Sequence, residues 1–112
     1  MRRWVLAAVV LAQWGSPEWW GRLAADPVAV EVKVFQFRPK TLEISGGSAV
    51  TWVNQDEIKH TVTSGLPGGG DGKFDAALAG KGATATVRFT EPGVYPYFCS
   101  SHQAMRGEVR VQ

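Results

Sequence analysis

From Val28 the chain alternates, with Val28, Val30, Val32 and Val34 apolar and Ala29, Glu31 and Lys33 between them. A period of two puts one set of side chains on a buried face of a β-strand and the other set outside. Phe35 and Phe37 continue the alternation with the phase moved by one residue, which predicts a β-bulge near Val34 and Phe35. Further strands are predicted over Thr41–Ile44, Ala49–Asn54, His60–Ser64, Ala83–Thr90, Val94–Cys99 and Gly107–Val111. Turn residues separate them: Arg38-Pro39, Ser45-Gly46-Gly47, Asn54-Gln55-Asp56 and Glu91-Pro92-Gly93. Gly68–Gly72 reads as a flexible loop, and Ala76–Ala79 has room for at most one helical turn among its glycines. About seven to eight short strands with regular turns predict an all-β, two-sheet sandwich. Trp52, Phe37, Phe74, Phe89 and Tyr97 are its candidate core aromatics.

The first residues follow another pattern. Arg2 and Arg3 precede an apolar run, Trp4–Ala12, and Leu23-Ala24-Ala25 offers a small-residue cleavage site, so residues 1–25 read as a secretory leader and 26–112 as the folded domain. The run is shorter than the roughly 20 residues that span a bilayer. Trp14, Trp19 and Trp20 suit a membrane interface, so an uncleaved leader resting on the membrane is the alternative. The arginine pair is also compatible with twin-arginine export. Either way the domain is expected in the periplasm or otherwise exported, with membrane contact only through a retained leader.

Composition narrows the function. The formal net charge of the 112 residues is +2, and losing Arg2, Arg3 and Arg22 with Glu18 brings it to zero. The basic residues are scattered among acids, so no nucleic-acid face is expected. Cys99 is the only cysteine, and since exported proteins pair their structural cysteines it must be free, shared between chains or bound to something. A domain of this size has a modest core, and a bound metal would add stability.

Cys99, His102 and Met105 stand at Cys-x₂-His-x₂-Met spacing in YFCSSHQAM, where a tight loop between strands can turn all three inward. The other histidine, His60, opens a predicted strand after the turn at residues 54–59, at a sheet end that can meet this loop. Thiolate, thioether and imidazole donors favour copper over magnesium, calcium or manganese, with zinc still compatible. Two histidines, one cysteine and one methionine make up a blue-copper donor set, trigonal with a long axial thioether.

Tyr95–Gly107, together with Phe37-x-Pro39, Gly47, Val50-Thr51-Trp52-x-Asn54 and His60-Thr61-Val62, resembles the small blue-copper proteins of the amicyanin and plastocyanin-like group, the cupredoxins. The short gap from histidine to methionine is similar to amicyanin. The resemblance implies a Greek-key sandwich, with His60, Cys99 and His102 as strong copper ligands and Met105 as the axial one. It also implies that one electron shuttles between Cu(I) and Cu(II) through the edge of His102, inside an apolar patch including Leu66, Pro67 and Ala104. Many members carry asparagine after the first histidine to tie the ligand loops together; here Thr61 stands there, with a hydroxyl as the substitute tether. Gly68–Gly72 is expected near the metal end.

No general base, oxyanion loop or second metal cluster is recognisable, so no enzyme is expected. The expected partners are redox proteins, a cytochrome or a dehydrogenase or oxidase, docking transiently on a monomeric carrier. Two other readings use the same residues: a protein that buffers or delivers copper, and a thiol enzyme with Cys99 and His102 as nucleophile and base. The absence of a methionine-rich tract disfavours the first, and the lack of an orienting third residue disfavours the second.

Overall fold

The computed structural model describes residues 28–112; the predicted leader and its cleavage site lie outside them. Nine strands form two sheets: β1 Val28–Lys33, β2 Gln36–Arg38, β3 Thr41–Ile44, β4 Ser48–Asn54, β5 His60–Leu66, β6 Gly69–Leu78, β7 Thr84–Phe89, β8 Gly93–Cys99 and β9 His102–Val111. One sheet has the order β2-β1-β4-β7 and the other β3-β9-β8-β5-β6. The pairs β1-β4 and β3-β9 are parallel, so the connections between those strands pass from one sheet to the other. No helix among the described residues is long and apolar enough to cross a membrane.

The alternation read from the sequence is what closes the core. Val30, Val32, Val50, Trp52 and Phe89 from one sheet meet Val62, Leu78, Tyr97, Val109 and Val111 from the other, all buried. The Tyr97 ring lies edge-on to Trp52 at 5.3 Å and to Phe37 at 4.7 Å, so the aromatics bridge the sheets. Burial pushes the Tyr97 phenol up to about 12.

Three expectations are corrected. The shift of phase at Val34 and Phe35 marks a chain reversal, not a bulge: β1 and β2 pair as an antiparallel hairpin with Lys33 opposite Gln36, and both intervening residues have positive φ, 54° and 56°. That geometry gives a two-residue turn the twist of its strands, but it is a marked outlier for a β-branched residue. Gly69–Leu78 is one strand, with no helical turn at Ala76–Ala79. Its glycines are tolerated because it is an edge strand hydrogen-bonded along β5. Gly69 and Gly70 face Leu66 and Gly65, whereas His60 pairs with Leu78 at the other end of the same ladder. The glycine-rich hairpin therefore lies about 20 Å along the strand from His60, at the end of the sandwich away from the metal residues. Leu66 and Pro67 go with it and do not border His102.

Candidate metal centre

His60 is the first residue of β5, and the turn before it is built around Asn54. The buried Asn54 side chain donates to the carbonyls of Ile58 at 2.9 Å and Leu78 at 3.2 Å, and its oxygen accepts the Asp56 N–H at 2.9 Å. Such an asparagine-centred turn needs no glycine. It holds Asp56 four residues before His60, with the carboxylate 2.8 Å from His60 Nε2. Burial works to raise the Asp56 carboxyl, but the N–H groups of Val34 and Phe35 and the His60 ring outweigh it and hold the group below the usual carboxylate range.

Cys99 closes β8 and His102 opens β9, paired across a turn of Ser100 and Ser101. The strand after the turn starts five residues earlier than its predicted beginning at Gly107. Gln103 and Ala104 are both exposed, so alternation breaks between His102 and Met105, and the two can face the same way despite their odd spacing. Met105 is 3% exposed and belongs to the same buried cluster as Cys99.

The structure brings His60, Cys99 and His102 together, with one donor atom from each within 4.8 Å of the others. Both imidazoles turn Nδ1 toward the sulfur, at 3.8 Å for His60 and 3.7 Å for His102. Bonds of about 2.3 Å to sulfur and about 2.0 Å to nitrogen, the lengths zinc adopts, put the donors about 3.7 Å apart at a trigonal angle and about 3.5 Å apart at a tetrahedral one. The observed spans are of this size, so one ion can bond the sulfur and both imidazoles together, and the soft thiolate beside imidazoles suits copper. With Nε2–H given to Asp56, His60 keeps an Nδ1 lone pair facing the sulfur. The Thr61 N–H donates to Cys99 Sγ from 3.4 Å, fixing where the sulfur sits. His60 and Cys99 are fully buried and His102 is partly exposed, so the group opens to the surface only along the His102 ring.

Thr61 supplies the tether. Its hydroxyl accepts the Ser100 N–H at 2.8 Å and lies 3.1 Å from Ser100 Oγ, fastening the residue after His60 to the turn after Cys99. Asn54 builds the turn that the sequence marked. Two further residues carry weight that the sequence did not assign them: Asp56, read there only as a turn residue, binds the His60 ring, and Phe35, half exposed, stands edge-on to His60 at 5.5 Å and to His102 at 5.0 Å. The Asn-x-Asp turn followed by His60 was a readable sign for Asp56; Phe35 left none. With Leu66 and Pro67 at the far end, the apolar surface beside His102 is made by Phe35, which shares a surface hollow with Ala104 and Met105.

Residues 24–112 match the family model of copper binding proteins, plastocyanin/azurin family. Amicyanin of Paracoccus denitrificans is 31% identical over 96% of this chain and 92% of its own length. Plastocyanin of Scenedesmus fuscus is 31% identical over 68% of this chain and 86% of its own. Among solved structures, a purple cupredoxin from Nitrosopumilus maritimus superposes with a TM-score of 0.70 at 29% identity, covering 76% of this chain and 99% of that one. With its two-sheet sandwich and its thiolate–imidazole group at one end, this chain belongs to the plastocyanin/azurin family of copper-binding proteins, the cupredoxins.

Proposed function

We propose that the protein is an exported one-electron carrier whose copper would be held by His60, Cys99, His102 and Met105. The observation that carries the reading is the convergence of two imidazoles on one thiol in a nearly closed site. Bound copper supplies a one-electron couple between Cu(I) and Cu(II). The chain does the rest. The turn at Asn54 and the hairpin at Ser100-Ser101 hold the donors on sheet ends, so the donors would move little when the copper changes oxidation state. Burial keeps water from His60, Cys99 and Met105, and an ion held by all four donors would offer no open position of the kind a metal enzyme uses for substrate. Electrons then enter and leave through the His102 edge, beside Phe35 and Ala104. A small exposed face of this kind suits brief encounters with redox proteins.

The domain that does this is residues 26–112, released from a leader at 1–25, and metal ligation accounts for its unpaired cysteine in an oxidising compartment. The mass of the mature protein from a secreting host checks the cleavage.

Loading the apo-protein with Cu(II) tests the function. A carrier develops an intense visible sulfur-to-copper band, is reduced and reoxidised repeatedly, and retains its metal throughout. A colourless complex that passes copper to a chelator on reduction would instead mean buffering or delivery.

A further inference from the structure

Asp56 meets three groups at once. One carboxylate oxygen accepts the Val34 N–H at 2.8 Å; the other accepts the Phe35 N–H at 3.2 Å and lies 2.8 Å from His60 Nε2. Val34 and Phe35 form the two-residue turn with both φ values near 55°, a conformation that is strained for an L-residue and most of all for a β-branched one. Such strain persists only where the surroundings impose it. Here the imposing group comes from 21 and 22 residues along the chain. The turn in its turn places the Phe35 ring edge-on to both imidazoles, which are 5.2 Å apart and edge-on to each other.

We propose that Asp56 is a positioning residue that sets the tautomer and ring angle of His60 and, through the Val34–Phe35 turn, holds Phe35 as an aromatic cover over both histidines. The inference rests on His60 and His102 being copper ligands, and it goes further by making the cover and the ring orientation one device. If the carboxylate lets go, the first imidazole loses its fixed hydrogen bond and the turn loses the acceptor for both its N–H groups. Phe35 is then free to leave the His102 edge. Two readouts that could have been separate, metal affinity and access to the exposed imidazole, are thereby tied to one side chain.

The test uses the full chain. Nitrogen-15 NMR of the wild-type apo-protein at neutral pH should show His60 as the Nε2–H tautomer, and the Nδ1–H tautomer would overturn the proposal without any mutation. Asp56→Asn should let the tautomer mix, lower copper affinity roughly 10–100-fold and weaken the contacts in NMR between Phe35 and the His102 ring. Unchanged affinity and an unchanged tautomer in that variant would also overturn it. Val34→Gly in the Asp56→Asn background separates positioning from folding, because glycine adopts the turn unaided. Stability should recover while affinity stays low; recovery of both would show that Asp56 only supports the turn. Failure of the parent reading looks different, since the wild type would then bind no copper at all.

Discussion

The Thr61 hydroxyl accepts the Ser100 amide at 2.8 Å, so the strand that begins with one histidine is pinned to the turn that leads to the other. Thr61 also offers its own N–H to the Cys99 sulfur at 3.4 Å, a contact that survives any change of its side chain. Thr61→Ala should therefore keep the sulfur's donor but lose the tether. We expect a loss of about 1 kcal/mol in urea unfolding of the apo-protein, faster copper release to a chelator, and recovery of both with Thr61→Ser.

Gly107 is required for space, not for backbone freedom. A β-carbon there would stand 2.5 Å from the Tyr97 hydroxyl and ring, and Tyr97 is 1% exposed and held edge-on to Trp52 and Phe37. Gly107→Ala should cost about 1–3 kcal/mol by overcrowding. In a Tyr97→Leu background the same change should cost much less, a coupling that a double-mutant cycle measures.

The two sulfur residues should separate by spectrum. Cys99→Ser removes the donor of the visible band, so the copper-loaded variant should be colourless. Met105→Gln should keep copper and colour but lower the reduction potential, because an amide oxygen is a harder donor that favours Cu(II). Voltammetry checks the direction, and complete loss of copper from that variant would contradict a weak axial role.

Asp71 gives a pH dependence remote from the metal. The Ser64 hydroxyl and then the Lys73 N–H bond to its carboxylate and hold it below the usual 3.8. A depressed folded value means that the stabilisation is complete above the unfolded value and fades as pH falls through the folded one. Comparing wild type with Asp71→Asn by chemical denaturation should show a constant gap near neutral pH that narrows below about pH 4. The visible spectrum of the copper-loaded variant should match that of the wild type.

The alternating strands and the donor set were legible in the sequence because both are local signals. Val28–Lys33 declares its buried face by period, and a chain with one cysteine and two histidines has few ways to spend them. Gly69–Leu78 was not legible, because its strand character comes from pairing with β5 and not from its glycines. Nor was the reversal at Val34 and Phe35. A two-residue turn usually announces itself with glycine or asparagine, and here a carboxylate from residue 56 replaces that signal. The same distant contact hid the role of Phe35, whose spacing fits a strand. Leu66 and Pro67 were placed by resemblance at the wrong end of β5, an error that register alone reveals.

The strand furthest along the chain among the described residues, β9, lies inside its sheet, between β3 and β8, and is not an edge. Without those ten residues β3 has no neighbour, β8 has only one, and the chain has neither its second imidazole nor its thioether. Enclosure of the donors therefore depends on contacts of long sequence separation, and a chain that has not paired β9 has only two of the four donors in place.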